Sequence, residues 1–214
     1  MNTNLGQIII VLAIVVGSVI LHELSHGLVA YWLGDSTAKD AGRLTLNPIK
    51  HIDPYMSILV PVILYTLGAP VFGGAKPVPV NYRSLKWREW GMALVALAGP
   101  LTNFLLALIT FLIGHFTGIL YNGENELLAF IFAEIIFINL GFMLFNLIPI
   151  PPLDGSRALY AISPDAVRTV LGQIERYGII IVYALIILFG EVFSDLMING
   201  MTGIVNFFYV LVGK

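Results

Sequence analysis

The chain has 214 residues, of which 58% are hydrophobic and 11% are charged, with a mean hydropathy of +0.90 and a formal net charge of −2. About a quarter of the residues of a soluble domain are charged, so this composition excludes an ordinary soluble protein and predicts an integral membrane protein. The absence of cysteine excludes disulfides and thiolate metal ligands. The near-neutral charge gives no sign of a nucleic-acid partner.

The first predicted element is a long apolar helix over residues 5–33, which we expect to be retained as a membrane helix because it lacks a signal-peptide cleavage pattern. It contains the sequence HELSH at 22–26. A helix turns by about 100° per residue, so His22 and His26 emerge on one face and can reach one metal, with Glu23 close to its bound water. Ionisable side chains in hydrocarbon need a compensating partner, here a metal or a water-filled cavity.

The chain between this helix and the next strong span is polar and interrupted. Residues 42–46 have the composition of a short strand, and residues 76–90 are expected to be extended until about Leu85. The uncharged stretch 54–75 is long enough to cross a bilayer, but prolines and glycines break it. Basic residues flank it on both sides, which favours a re-entrant hairpin or a tilted half-span and leaves a full crossing open.

Further membrane segments are predicted in the second half of the chain. Residues 91–117 form the strongest span, and residues 127–148 return across the membrane. An amphipathic helix begins near Ser163, and residues 178–190 and 197–212 form a hairpin or one span with a docked segment. We therefore predict an all-α polytopic membrane protein, a helical bundle of about four to six membrane segments with short β or extended elements near the active site.

A catalytic zinc site usually has three protein ligands and an open position for water, so the two histidines need a third ligand. Asp154 is the preferred candidate because it follows a proline-broken segment, where backbone leaving a helix can direct a carboxylate into the bundle, and because Gly155 permits close approach. Asp154 could also act as a helix cap. His51, Asp53 and Glu134 remain alternatives, although solvation or an interhelical hydrogen bond would also explain them.

A second polar patch, AGPLTN at 98–103, lies within the strongest span. Pro100 frees a carbonyl, and the buried amide of Asn103 must find hydrogen-bond partners. A helix kink with an interhelical hydrogen bond and a contact with substrate are both compatible with this pattern.

HELSH, AGPLTN and the later PPLDG at 151–155 together resemble the site-2 protease family of intramembrane zinc metalloproteases, and GRLTLNP at 42–48 is similar to its compact prokaryotic branch without a PDZ domain. The resemblance implies Zn²⁺ bound by His22, His26 and Asp154, with Glu23 as the catalytic acid and base and Asn103 as a substrate-binding residue. It also implies one metalloprotease domain over residues 1–214, located in a prokaryotic cell membrane, with a transmembrane helix of another protein as substrate.

Two other functions remain open at this stage. A zinc transporter or metal-binding membrane protein would need further ligands in line across the membrane, whereas the strong candidates lie at one depth and transport does not require Glu23. A structural helix-packing subunit would need no metal. Replacing Glu23 with glutamine distinguishes these functions, because a protease would keep zinc and lose cleavage while a transporter could keep its flux.

Overall fold

The computed structural model describes residues 5–66, 74–123 and 125–213, and these residues form helices and no β-strand. Short 3₁₀ turns at Pro48–His51 and Tyr82–Ser84 and a π-helical turn at Pro54–Leu59 lie in the connections. In chain order the α-helices are α1 (Leu5–Trp32), α2 (Thr37–Asp40), α3 (Val60–Thr66), α4 (Glu89–Phe116), α5 (Glu126–Asn146), α6 (Asp154–Ile162), α7 (Asp165–Glu175), α8 (Gly178–Leu188) and α9 (Gly190–Leu211). The predicted all-α membrane fold is confirmed.

Helices α1, α4 and α5 are long and apolar enough to cross a membrane. Their bounds agree with the predicted spans to within two residues. Helices α7 and α8 meet at an angle of 81° and would form a fourth, broken span if counted together. By length and composition, the described part of the chain therefore has three or four membrane segments, at or just below the lower end of the predicted range.

Small residues allow the three long helices to pack closely. Ala93, Ala96 and Ala98 on α4 are buried, and so is Ala30 on α1. Such residues let helix backbones approach each other in a membrane, where van der Waals packing drives association. Further along α4, Ala107 and Phe111 form a core cluster with residues of α5 and with Phe208 of α9.

The connection between α1 and α4 differs from the prediction. The strand predicted at 42–46 is not formed, and this region consists of turns between α2 and a 3₁₀ turn. Residues 74–81, which we call the connecting segment, form neither helix nor strand. Among the described residues, no strand pairs with this segment. Its backbone groups instead bond to side chains and to the carbonyl of His51. The re-entrant hairpin predicted at 54–75 stays a prediction, since residues 67–73 lie outside the described residues.

Candidate metal centre

Three potential metal ligands converge from distant parts of the chain. The Nε2 atoms of His22 and His26, one turn apart on α1, are 3.0 Å from each other. The Oδ2 atom of Asp154, the first residue of α6, is 3.1 Å from Nε2 of His22 and 3.3 Å from Nε2 of His26. Within residues 5–66, 74–123 and 125–213, this is the one group of three such side chains placed to hold a metal ion.

The spacing of these donor atoms fits a zinc ion. Two ligands of tetrahedral zinc lie about 3.3 Å apart when each is about 2.0 Å from the metal. The side chains of His22 and His26 are 9% and 10% exposed, so water does not solvate them freely. Lone pairs that face each other at this distance in a buried site repel unless a cation or protons lie between them. The cluster is therefore a nitrogen and oxygen site of the kind expected for a chain without cysteine.

Hydrogen bonds on the far side of each ring direct the Nε2 atoms toward the cluster. His26 Nδ1 is 2.7 Å from the carbonyl oxygen of Val95 on α4, and His22 Nδ1 is 2.6 Å from Oδ1 of Asn103. Both partners are acceptors, so both Nδ1 atoms carry the proton and both Nε2 lone pairs face Asp154. Metal-binding histidines commonly have such an outer hydrogen bond.

Gly99 on α4 lies directly against the two imidazoles. A Cβ atom at this position would be 2.5 Å from Nε2 of His22 and 2.5 Å from Nε2 of His26. Such a contact is far shorter than real carbon–nitrogen contacts, so only glycine permits α4 to approach the two rings this closely. The structure thus explains the glycine of the AGPLTN sequence as a requirement of the cluster.

Asp154 reaches the cluster because the chain folds back tightly after α5. At Gly155 a Cβ atom would lie 2.2 Å from the carbonyl oxygen of Leu147, so glycine is required there as well. The N-cap of α6 is Leu153, with no capping hydrogen bond from its side chain. Asp154 itself is the first helical residue, so the helix-cap alternative is not observed.

The other candidate ligands lie elsewhere. His51 is buried with Nε2 2.8 Å from the carbonyl of Thr45, and Asp53 accepts a hydrogen bond from the amide of Tyr55 at 2.9 Å. Glu134 is on α5 and does not belong to the described cluster.

Glu23 faces the same cavity as His22. The cavity has a volume of ≈ 640 Å³ and is bordered by α1, α5, α8, the start of the connecting segment and the turn before α6. Its wall is mostly apolar, and His22, Glu23 and Tyr183 contribute the ionisable groups. The backbone amide of Val78 donates a hydrogen bond of 2.9 Å to Oε2 of Glu23. The connecting segment therefore holds the carboxylate on the cavity wall that includes His22.

Buried polar side chains fix the connecting segment. Arg43 is 6% exposed and donates from Nη2 to the carbonyl of Lys76 at 2.6 Å, while the amide of Lys76 donates to the carbonyl of His51 at 2.9 Å. At the far end, Oδ2 of Asp35 accepts from the amide of Asn81 at 2.6 Å. These roles of Asp35 and Arg43 were not predicted from the sequence. The similarity of the GRLTLNP loop to the family could have drawn attention to Arg43.

The side chain of Asn103 bonds to two side chains of the protein. The predicted role was contact with substrate, but the side chain is completely buried, and both ends of its amide bond to protein. Its Oδ1 accepts from His22, and its Nδ2 donates to Oδ1 of Asn139 at 2.8 Å. This geometry matches the interhelical alternative considered from the sequence, and the contact with substrate implied by the resemblance stays a prediction.

Comparisons with known proteins give the family. The model of peptidase family M50 matches residues 9–122, more than half of the chain. YwhC of Bacillus subtilis is 43% identical over 175 residues, which cover 78% of this chain and 75% of the relative. Rip2 of Mycolicibacterium smegmatis is 33% identical over 184 residues, with coverage of 85% and 68%. Both relatives carry the name "putative zinc metalloprotease". No solved structure matched the chain. The chain belongs to peptidase family M50, the site-2 protease family.

Proposed function

We propose that this protein is an intramembrane zinc metalloprotease that hydrolyses peptide bonds within or near transmembrane helices of other membrane proteins. The observation that carries the proposal is the His22, His26 and Asp154 cluster beside Glu23, on the wall of a cavity between membrane helices. Membership of peptidase family M50 and the names of the relatives support zinc-dependent peptide hydrolysis.

The depth of the cluster supports a substrate within the membrane. His22 lies ten residues before Trp32, the end of α1, and Gly99 lies ten residues after Glu89, the start of α4. Both intervals correspond to about 15 Å along a helix, or half of a hydrocarbon layer of about 30 Å. Because two helices agree on this depth, we infer that the scissile bond enters the hydrocarbon region.

The roles of the residues follow from their chemistry. His22, His26 and Asp154 would hold a zinc ion, which would lower the pKa of a bound water towards about 7 and polarise the peptide carbonyl. Glu23 accepts the proton of the attacking water and returns it to the leaving amine. The amide of Val78 keeps the Glu23 carboxylate in position for this transfer.

The apolar lining of the cavity supports a transmembrane helix as substrate. Apolar residues of α1, α5 and α8 line it, and these suit a lipid-exposed sequence. A helix hides its carbonyls in i to i−4 hydrogen bonds, so the scissile stretch must unwind before attack. Gly74, Ala75 and Pro77 of the connecting segment border the same cavity.

The test is cleavage of a reconstituted single-span membrane protein by purified protein in liposomes. We expect Glu23→Gln to keep its zinc and to lose activity by about 10²- to 10⁴-fold, and His22→Ala to lose both. Glu191→Gln on the exposed start of α9 serves as the control for loss of a carboxylate. Mass spectrometry of the products should locate the cut in or beside the span. Full activity of Glu23→Gln would refute the assigned role, and cuts confined to soluble loops would refute the intramembrane substrate.

Metal transport has less support. Among the described residues there is one group of three potential ligands, whereas a transport path needs successive sites along the membrane normal.

A further inference from the structure

A chain of buried hydrogen bonds connects His22 to the backbone of another helix. Beyond Asn103, the side chain of Asn139 on α5 continues the chain with two donated bonds from Nδ2. One goes to the hydroxyl of Ser18 at 2.9 Å, and the other goes to the carbonyl oxygen of Ile135 at 2.8 Å. Asn103 and Asn139 are 0% and 1% exposed, so solvent does not compete for these bonds.

The direction of every bond in this chain follows from its last member. A backbone carbonyl only accepts, so the Asn139 group that faces Ile135 must be the NH₂. Its oxygen therefore faces Asn103, which must turn its own NH₂ toward Asn139 and its oxygen toward His22. That oxygen requires a proton on Nδ1 of His22, and in a neutral imidazole this leaves the Nε2 lone pair free to bind a metal.

We propose that Asn139 is a positioning residue for the metal centre, which sets the Nδ1–H tautomer of His22 through Asn103. The proposal rests on His22 being a zinc ligand, as in the proposed function. His26 needs no such relay because its Nδ1 bonds directly to the carbonyl of Val95. If the oxygen and NH₂ of either amide exchanged places, two hydrogen bonds would become contacts between two donors or two acceptors. The buried hydrogen bonds therefore have one stable direction.

The test is the zinc dissociation constant of purified protein, measured by competition with a chelator. Asn103→Leu removes the acceptor of His22, and we expect zinc to bind about 10- to 100-fold more weakly. Asn139→Leu leaves Asn103 free to reverse and should weaken binding by about tenfold. Because Asn139 acts only through Asn103, the double variant should match Asn103→Leu within about twofold rather than show the product of the two effects.

A matched control is available on the same helix. Asn146 on α5 also donates from Nδ2 to the carbonyl four residues earlier, that of Phe142, at 3.0 Å. Asn146→Leu removes an asparagine with the same local bond and should leave zinc affinity unchanged. Thermal unfolding of each zinc-free variant shows whether it folds.

Nitrogen NMR of histidine-labelled, zinc-free protein reports the tautomer directly. The signal of His22 is assigned by its loss in His22→Ala. We expect a proton on Nδ1 of His22 in the wild type and partial loss of that proton in Asn139→Leu, a change that general loss of stability would not produce. If His22→Ala still binds zinc with wild-type affinity, the assignment of the metal site itself fails. If His22→Ala loses zinc but both asparagine variants bind it within twofold of wild type, the metal site stands and the relay is refuted.

Discussion

The contact between Gly99 and the two imidazoles gives the sharpest prediction. Gly99→Ala places a methyl carbon 2.5 Å from both Nε2 atoms, where an ordinary carbon–nitrogen contact needs about 3.4 Å. A ring that withdraws must strain its outer hydrogen bond, because His26 is bonded to the carbonyl of Val95 and His22 to the side chain of Asn103. One or both rings, or α4 itself, must therefore shift by about 0.9 Å, whereas metal–ligand distances tolerate about 0.2 Å.

We expect Gly99→Ala to weaken zinc binding by more than about 100-fold, beyond the loss caused by removing an outer hydrogen bond. Overpacking should also destabilise the protein by about 1–3 kcal/mol. The assay combines chelator competition with thermal unfolding of purified protein. Gly17→Ala on α1 is the matched control, since a Cβ there meets no atom within 4 Å. Zinc affinity of Gly99→Ala within threefold of wild type would refute the close approach of α4 to the two rings.

Three further predictions concern the connecting segment and the metal. Val78→Pro removes the amide that donates to Glu23 and should reduce turnover at least tenfold with zinc retained. The control Val78→Ala keeps this amide and should be less affected. Equal turnover of the two variants would contradict the role of the amide. Arg43→Gln loses the bond to the carbonyl of Lys76 and should lower turnover severalfold at unchanged zinc content, as a cleavage assay and metal analysis can measure. Wild-type turnover of this variant would exclude a role of Arg43 in fixing the connecting segment. Removal of zinc should lower the unfolding midpoint by about 5–10 °C in wild type but not in His22→Ala, as calorimetry with and without chelator can show.

The membrane helices and the proximity of His22 to His26 could be predicted because both depend on local sequence. Uncharged stretches of sufficient length identify α1, α4 and α5, and one helical turn brings His22 and His26 together whatever surrounds them. Asp154 required a longer inference, from a break in the helix and an adjacent glycine to a carboxylate directed into the bundle. The structure brings it to the histidines across 132 residues of sequence.

The partners of polar groups could not be predicted, because they depend on which segments become neighbours. The sequence left Asn103 with two possible roles, and the packing of α4 against α1 and α5 places it between His22 and Asn139. The strand predicted at 42–46 failed for the same reason. Its composition suited a strand, but no neighbouring strand is available in the described part of the chain, and the loop instead provides Arg43 to the connecting segment.

Because of the outer hydrogen bonds, the geometry of the candidate metal centre depends on the packing of the helix bundle and not on one motif alone. His26 depends on the carbonyl of Val95 on α4, and His22 depends, through two amides, on the carbonyl of Ile135 on α5. A shift of α1 by one residue along its axis would move the imidazoles by about 1.5 Å and turn them by about 100°, which breaks both bonds at once. The orientation of the two imidazoles therefore depends on the register of α1 against its neighbours. This coupling explains how an apolar membrane helix accommodates two imidazoles, because each ring nitrogen has a defined partner only in the packed bundle.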